Sequence, residues 1–349
     1  MVKSNQALGI IGGGQLGSML ALAAKKLHIK TVVLTDDSES PAKNFCDEII
    51  LSDYEDENKI LEFTNKVDVV TFEFENIPFE VLNTISKLKK IHPDPKINQI
   101  VQNRKKEKTF VNDIGIKTTS WAHIRSKEDI IKNKSLLPGL LKTCTLGYDG
   151  RGQFLINSLD ELDGKLDFSK EYILEKLVNF KKEISVILTR YTNGEFSIYE
   201  PFENKHKNQI LVVSKIPAEI SKKVFELSQT NAKHIADKLN YVGTMCVEFF
   251  IDKDDNLLVN EIAPRVHNSG HLTINAYNVS QFENHIRAVC SLEKIPLKKL
   301  SNAKMINLIG NQITHYRKNS NLKDNEFFFD YLKKEVKEKR KMGHITILI

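Results

Sequence analysis

Residues 141–153, LKTCTLGYDGRGQ, place a lysine before a short segment that contains three glycines and alternating charge. Glycines at positions 147, 150 and 152 permit positive φ angles and let the backbone approach a ligand closely. Lys142 follows the apolar run 136–141, which predicts a position near a strand end, where its ammonium group can meet a phosphate. The stretch is typical of a lid over phosphates, although a solvated turn between two strands can have the same composition.

The length and composition place limits on the class of protein. A chain of 349 residues with 41% hydrophobic residues suggests about two or three domains with buried cores. The formal charge of +6 is spread along a lysine-rich chain, which favours a solvated surface over nucleic-acid binding. No apolar run approaches the length of a membrane span, and no signal-peptide pattern is expected. Four cysteines without paired spacing suit free thiols, so we expect a soluble cytoplasmic protein.

The N-terminal segment 7–36 reads as strand, glycine turn, helix and strand. Gly12, Gly14 and Gly17 satisfy the dinucleotide fingerprint, and Asp36 stands where a ribose-binding acid is expected. An NAD-dependent dehydrogenase is therefore one interpretation. An anion at the helix N-terminus is the more general one.

Polar residues also end a later strand of this segment. The run 67–76, VDVVTFEFEN, ends in Glu73, Glu75 and Asn76. Open α/β sheets bind ligands at the carboxyl ends of their strands, so these side chains are candidates for a binding site. Ordinary solvated residues at a strand end are the alternative.

The middle of the chain predicts a connector and helix over 93–115, with Arg104 and Lys108 on one helix face, and then a small α+β unit up to about residue 174. Beyond it, residues 201–207 predict a polar loop that contains His206. Apolar spacing predicts a helix over 218–239.

A β-hairpin is predicted over residues 244–263. Counting from its Asp-Asp-Asn turn, Glu248 lies in an apolar strand and Glu261 lies at the end of the partner strand. Burying such carboxylates is costly unless a cation meets them, and Mg²⁺ takes carboxylate and phosphate oxygens. An exposed strand face is the alternative. The next residues, PRVHNSGH at 264–271, supply donors that could stabilise charge on a transferring phosphoryl group or on a carboxylated intermediate.

Five stretches together resemble a known family. They are GGGQLG (12–17), KTCTLGYDGRGQ (142–153), ENKH (203–206), NEIAPRVHNSGH (260–271) and RKMGHI (340–345). They resemble the ATP-grasp superfamily and, within it, the N5-carboxyaminoimidazole ribonucleotide synthetase family, over about residues 8–347.

The resemblance implies a mixed α/β and α+β fold in three parts. A Rossmann-like, pre-ATP-grasp domain would cover residues 1–96. A linker and the small lid subdomain of an ATP-grasp fold would cover 97–178. The large ATP-grasp subdomain, with a C-terminal substrate-binding segment, would cover 179–349.

The resemblance also implies an activity. Such a ligase uses ATP and bicarbonate to carboxylate aminoimidazole ribonucleotide in purine biosynthesis, through carboxyphosphate, and it releases ADP and phosphate. Mg²⁺ is the implied cofactor, Mn²⁺ is an alternative, and a homodimer is the implied assembly. Another ATP-grasp carboxylate–amine ligase remains a second possibility.

Site residues follow from the matching motifs. Residues implied in ATP binding are Arg104, Lys142, Gly147, Tyr148, Asp149, Gly150, Arg151, Gly152, Gln153, Glu175, Lys176, Leu177, Val178, Glu183, His206, Asn260 and Glu261. Residues implied in binding the ribonucleotide and bicarbonate are Gln15, Glu75, Asn76, Arg265, His267, Asn268, Lys333, Arg340 and Lys341. Glu248 and Glu261 would hold the metal. Arg265 and Asn268 would hold carboxyphosphate, and Asp149 would accept the amine proton.

The chain departs from the family pattern at a few positions. Cys144 and Leu146 stand where the family commonly has arginine and glycine, Leu332 stands where glycine is frequent, and residues 208–209 replace an Asp-Gly turn. These differences affect the expected positions of Lys142 and Lys333 more than the assignment.

Overall fold

A computed structural model describes residues 6–145, 147, 152–162, 166–318 and 321–349 of the chain. Within these residues the strands form three β-sheets. One is parallel and flanked by helices, and two are antiparallel, so the predicted combination of a Rossmann-like domain with an ATP-grasp fold is confirmed.

The N-terminal unit is a parallel sheet of buried, largely β-branched strands. Its strands are β1 (Ala7–Ile11), β2 (Lys30–Thr35), β3 (Glu48–Leu51), β4 (Val69–Phe72) and β5 (Lys90–Ile91). Its helices are α1 (Gln15–Lys26), α2 (Glu57–Asn65) and α3 (Phe79–Leu88), and a 3-10 turn spans Pro41–Asn44. The strand order β3-β2-β1-β4-β5 places the ends of β1 and β4 side by side. The glycine turn after β1 therefore faces the acidic residues after β4.

The second unit is a small antiparallel sheet. It follows α4 (Pro95–Val101) and α5 (Arg104–Asp113), and it contains β6 (Trp121–Ile124), α6 (Lys127–Lys132), β7 (Gly139–Thr143), β8 (Gln153–Ile156) and β9 (Tyr172–Lys176), with 3-10 turns at Lys134–Leu136 and Leu159–Leu162. The strand order is β6-β9-β7-β8. Leu141 and Leu174 lie with Ile130 of α6 in the core on one side of this sheet. Side chains alternate along a strand, so Lys142 and Glu175 lie on the opposite side.

The third unit is a nine-stranded antiparallel sheet among the described residues. Its strands are β10 (Phe180–Arg190), β11 (Phe196–Ile198), β12 (Phe202–Lys207), β13 (Ile210–Ile216), β14 (Gly243–Asp252), β15 (Leu257–Ala263), β16 (Ala303–Ile309), β17 (Glu326–Asp330) and β18 (Lys341–Leu348). Its helices are α7 (Lys222–Lys238), α8 (Thr273–Ala276), α9 (Gln281–Val289) and α10 (Gln312–Lys318), and a 3-10 turn spans Asn268–Leu272. The core between α7 and this sheet contains Val186, Ile235, Val247 and Phe249.

Two local predictions were wrong. Residues 202–207 form strand β12 rather than a loop, because Glu203 is buried between Lys182 (2.7 Å) and Lys215 (3.4 Å) and needs no solvent. The following helix begins at Lys222 rather than at residue 218, because Ser221 caps it by accepting a hydrogen bond from the backbone N–H of Val224.

The domain boundaries after residues 96 and 178 stay a prediction. In the part of the chain that the structure describes, no helix combines the length and the apolar character needed to cross a membrane.

Candidate active site

The glycine turn after β1 binds a carboxylate of the protein itself. The backbone N–H groups of Gly14 and Gly17 donate to the two carboxylate oxygens of Glu73, which is buried at the end of β4. A φ angle of +94° at Gly12 turns the chain into α1. The helix N-terminus is the position where a dinucleotide would place its pyrophosphate. The structure therefore gives no support to the dehydrogenase interpretation.

Replacing Glu73 with alanine is expected to lower the free energy of unfolding by about 3 kcal/mol, because two buried N–H donors lose a charged acceptor. Urea unfolding measures this change. Asp56→Ala is the matched control, since Asp56 also accepts two backbone N–H bonds at a helix N-terminus but is exposed. A loss for Glu73→Ala no larger than for Asp56→Ala would contradict the importance of this buried contact.

The two predicted metal ligands lie opposite each other in the β14–β15 hairpin. Glu248 and Glu261 are direct register partners, so their side chains leave the sheet on the same face. Burial raises the pKa of Glu248 to about 7, and the charge of Glu261 acts in the same direction. A divalent cation would remove this repulsion, and its preference for carboxylate oxygens fits the pair. His267 Nε2 lies 3.5 Å from Glu248 Oε1.

A second grouping includes only one of these carboxylates. One ligand atom each of Cys246, Glu248 and His267 lie within 4.8 Å of one another. The Cys246 thiol is fully buried, and burial raises its pKa well above the ordinary value. A protonated thiol is a poor ligand for Mg²⁺, which prefers oxygen.

A buried charge cluster lies on one face of the small sheet. Glu175 Oε2 is 2.7 Å from Lys142 Nζ, and Glu175 Oε1 is 3.1 Å from Lys108 Nζ. All three residues are at most 5% exposed. Lys108 also donates to the carbonyl of Asn260 at 2.8 Å, and so it connects the small sheet to the hairpin that carries Glu261.

Arg104 stands at the first position of α5, between the glycine-containing segment and the hairpin. Its guanidinium lies 3.4 Å from Glu261 Oε2 and donates to the carbonyl of Gly147 at 3.1 Å. Asn103 begins the helix as its cap and fixes where Arg104 projects. Arg104 thus contacts Glu261, and its charge also acts on Lys142, so the three predicted residues lie in one region of the protein.

The remaining predicted ATP contacts lie at the ends of strands. Glu175 is buried, Lys176 and Leu177 are exposed, and Val178 is partly exposed. Glu183 of β10 binds His206 Nδ1 of β12 at 2.6 Å. Burial lowers the pKa of His206, but the hydrogen bond to Glu183 and the charge of Glu248 outweigh it and raise the pKa.

The glycine-containing segment is described in part. Gln153 pairs with Lys142 in the β7–β8 ladder, and Gly152 has a φ of +69°, which favours glycine. The predictions for Tyr148, Asp149, Gly150 and Arg151 lie outside the described residues.

The predicted substrate residues meet on the other side of the hairpin. Arg265 forms a two-point ion pair with Glu75: its Nε donates to Oε2, and its Nη2 donates to Oε1 at 3.0 Å. Gln15 lies 2.9 Å from His271 Nε2 and accepts a hydrogen bond from Lys333 Nζ at 3.1 Å. These contacts connect the Rossmann-like unit to the C-terminal segment.

Asn268 is held by two residues that the sequence did not indicate. Its amide N–H groups donate to Asn307 (3.1 Å) and to the Tyr331 hydroxyl (3.3 Å), and Asn307 donates back at 2.5 Å. An amide has two N–H donors, so both are used inside the protein. Asn268 therefore offers a ligand only its remaining acceptor capacity, and Asn307 and Tyr331 are additional members of the site wall.

The C-terminal basic residues are partly exposed beside this region. Lys333 Nζ donates to the carbonyl of Lys341 at 2.8 Å, and Arg340 donates to the carbonyl of Glu335 at 3.3 Å. Asn76 is exposed. The backbone of His267 is fixed by Gln281, and burial lowers the pKa of the His267 imidazole well below its usual value.

A buried carboxyl that the sequence analysis missed lies behind the hairpin. Glu107 of α5 accepts a hydrogen bond from the backbone N–H of Ile262 at 2.5 Å, and burial raises its pKa to about 7. Its position one residue before Lys108 gave no local signal, because its acceptor role depends on a strand far along the chain.

Comparisons with known proteins agree with this geometry. Three family models match successive parts of the chain: the ribonucleotide synthetase preATP-grasp domain at 5–102, the ATP-grasp domain at 109–282 and the phosphoribosylaminoimidazole carboxylase C-terminal domain at 303–349. With its opposed carboxylates and buried lysine, the fold is that of an ATP-grasp ligase.

The relatives are similar along their whole length. The chain is 38% identical to an N5-carboxyaminoimidazole ribonucleotide synthase of Bacillus subtilis, covering 100% of this chain and 93% of the relative. It is 40% identical to one of Brucella melitensis, covering 99% and 97%. The chain belongs to the N5-carboxyaminoimidazole ribonucleotide synthase family.

Solved structures give the same result. The Staphylococcus aureus N5-carboxyaminoimidazole synthetase complexed with ADP is 37% identical and superposes with a TM-score of 0.93, covering 99% of this chain and 93% of that one. The Aspergillus clavatus enzyme, solved with ADP and 5-aminoimidazole ribonucleotide, is 28% identical with a TM-score of 0.91, covering 99% and 94%.

Proposed function

We propose that this protein carboxylates 5-aminoimidazole ribonucleotide with bicarbonate and ATP, giving N5-carboxyaminoimidazole ribonucleotide, ADP and phosphate in purine biosynthesis. The observation that carries the proposal is the position of the opposed carboxylates Glu248 and Glu261: Arg104 lies 3.4 Å from Glu261, and the Arg265–Glu75 pair follows strand β15. Bicarbonate is a poor electrophile, so phosphorylation to carboxyphosphate precedes attack by the amine.

Glu248 and Glu261 would hold Mg²⁺, with Mn²⁺ as an alternative. When bound, the ion offsets the negative charge of the ATP phosphates. The donor set fits because the pKa of Glu248 is raised by burial and by the charge of Glu261, and a cation would offset both effects.

The ATP side of the cleft is built from cationic and hydrogen-bonding groups. Arg104 and Lys142 would neutralise phosphate oxygens, since both reach the cleft from rigid elements. The Glu183–His206 pair would bind the ribose, and residues 175–178 would contact the adenine. Residues 147–153 would close over the phosphates and exclude water from the hydrolysable intermediate.

The substrate side positions carboxyphosphate and the ribonucleotide. Arg265, oriented by Glu75, would hold the intermediate, and Asn268 would form part of its wall. Gln15, Asn76, His267, Lys333, Arg340 and Lys341 would line the ribonucleotide site, with the three basic residues near its 5′-phosphate. Asp149 would accept the amine proton.

The reaction class is tested by ADP release. ADP should form at a substantial rate only when aminoimidazole ribonucleotide and bicarbonate are both present, and withdrawing either should return the rate to background. ADP release that does not depend on bicarbonate would contradict the carboxylase assignment, and release that depends on another amine would favour a different ATP-grasp ligase.

We also propose that the protein is a homodimer and that it is cytoplasmic. Sedimentation measures the oligomeric state.

A further inference from the structure

A group of metal-binding side chains lies on the small sheet, apart from the opposed carboxylates. His123 comes from β6, Cys144 follows the end of β7, and Glu171 precedes β9. One ring nitrogen, the thiol sulfur and one carboxylate oxygen of these residues all lie within 4.8 Å of one another. The proposed reaction does not use this group, and Cys144 stands where the family commonly has arginine.

The pairing of the strands explains why these residues meet. The backbone N–H of Cys144 donates to the carbonyl of Glu171 at 2.9 Å, which extends the β7–β9 ladder by one residue. His123 pairs with Ile173, two residues beyond Glu171 on β9. Because side chains alternate between faces, all three project from the same face. The cluster therefore lies on one face of three adjacent strands, with Cys144 and Glu171 one residue beyond the strand ends.

A ring nitrogen of this cluster lacks the hydrogen bond that a buried polar atom normally forms. His123 Nε2 is buried and, among the described residues, has no hydrogen-bond partner. Glu171 Oε2 is 3.4 Å away, an approach that lacks hydrogen-bond geometry. Leaving a buried ring nitrogen unpaired is costly, and a bound ion is one way to satisfy it.

The thiol of Cys144 and the carboxylate of Glu171, together with the imidazole of His123, form a set of donor atoms that suits zinc. Cys144 is 2% exposed, and burial, reinforced by the charge of Glu171, raises its pKa to about 11. The thiol therefore carries its proton until a cation replaces it. Mg²⁺ seeks oxygen ligands, whereas zinc binds sulfur, imidazole and carboxylate together.

We propose that Cys144, His123 and Glu171 form a zinc-binding site, with water completing a tetrahedral shell. On binding, the Cys144 sulfur forms a bond to the ion and its proton passes to solvent. No electron transfer is involved. The ligand class is a divalent transition metal that accepts thiolate, which distinguishes it from the cation of the carboxylate pair.

The site lies close to the proposed ATP-binding cleft. Cys144 is two residues after Lys142, and its carbonyl accepts a hydrogen bond from the Arg104 backbone N–H at 2.8 Å. An ion that ties Cys144 to β6 and β9 would restrain the end of β7, from which the glycine-containing segment starts. Zinc should accordingly raise the melting temperature of the full chain.

Cobalt binding provides the direct test. Metal-stripped full-length protein titrated with Co²⁺ should develop a thiolate-to-cobalt absorption band, and adding Zn²⁺ should displace the cobalt and remove the band. Cys144→Ser should abolish the band, and it should weaken zinc binding by more than about 100-fold, since even outer-shell losses cost 10–100-fold. Cys290→Ser, which removes another buried thiol, should leave the band unchanged.

Two further variants keep the test decisive. Glu171→Gln alters a side chain that is 52% exposed, so it should fold normally and weaken zinc binding even if Cys144→Ser misfolds. Cys246→Ser probes the other thiol-containing group, beside Glu248. A band that persists in Cys144→Ser but disappears in Cys246→Ser would overturn the proposal, as would unchanged zinc affinity in Glu171→Gln or the lack of any band in the unaltered protein.

Discussion

Replacing Glu261 with glutamine is expected to lower the rate of ADP formation by about 1,000-fold, equivalent to about 4 kcal/mol of lost stabilisation of the phosphoryl-transfer transition state. Glutamine keeps the shape of the side chain and an oxygen that can still accept from Arg104. What it removes is one negative charge of the pair that would hold the cation. The change should therefore act on turnover and leave the fold intact.

The control for this variant is Glu226→Gln. Glu226 is an exposed glutamate of α7 whose ion pair with Lys222, at 3.7 Å, is also exposed. It should retain full activity and an unchanged melting temperature. If Glu261→Gln keeps activity within a few-fold of the parent while folding normally, the metal is held elsewhere and the assignment of the hairpin is wrong.

A companion variant, Glu248→Gln, shows whether the charge of Glu248 contributes to turnover or to stability. Because burial and Glu261 raise the pKa of Glu248 to about 7, the neutral amide should fit the apoprotein well. We expect an unchanged or higher melting temperature together with a large loss of turnover. That combination is characteristic of a functional carboxylate, since a structural one would cost stability when replaced.

The hairpin could be predicted from the sequence because its signals are local. The turn at residues 253–256 fixes the pairing of residues 249–251 with residues 257–259, and the same register continued would place Glu248 opposite Asn260. A register shift between Glu248 and Phe249, which the sequence did not indicate, places Glu248 opposite Glu261 instead. The parallel N-terminal sheet could also be predicted from the sequence, because runs of β-branched residues indicate its strands and a glycine turn follows the first of them. The family resemblance added the order and the roles, and those roles remain predictions at the level of single residues.

The parts that escaped prediction depend on contacts between distant segments. The sequence predicted Glu73 as a candidate ligand-binding residue, yet its carboxylate binds the N-terminus of α1, where the glycine fingerprint predicted a cofactor. Asn307 lies in β16 and Tyr331 follows β17, both without a distinguishing sequence pattern, and only the fold brings them to Asn268. The polar sequence of β12 predicted a loop. The residues form a strand because β10 and β13 pair with them on both sides.

The buried charge cluster of the small sheet leads to the second large expected effect. Glu175→Gln is expected to lower the free energy of unfolding by about 3–5 kcal/mol at neutral pH, because it leaves Lys142 and Lys108 buried without a counter-charge. Glu200→Gln is the matched control, since Glu200 pairs with Lys299 at 2.8 Å where both side chains are 30% exposed. Its loss should stay below about 1 kcal/mol.

The pH dependence of stability gives an independent test of the same cluster. Burial opposes ionisation of Glu175, but the charges of Lys108 and Lys142 outweigh it and hold its pKa at about 2, below the ordinary 4.5. Burial and the neighbouring cations also lower the pKa of Lys142, which on its own would mean that the lysine gains little from the pair. Glu175 faces two ammonium groups, whereas Lys142 faces one carboxylate and two cations. The pKa of Glu175 therefore determines how the free energy of unfolding depends on pH in this cluster.

The sign follows from the lowered pKa of Glu175. The unfolded chain binds a proton at this position more readily than the folded chain does, so the stabilisation is complete above pH 4.5 and is lost as the pH falls towards 2. It amounts to about 3 kcal/mol. Urea unfolding of the parent and of Glu175→Gln should differ most at neutral pH and converge in acid. A difference that is independent of pH over this range would mean that Glu175 stabilises the sheet by its shape rather than by its charge.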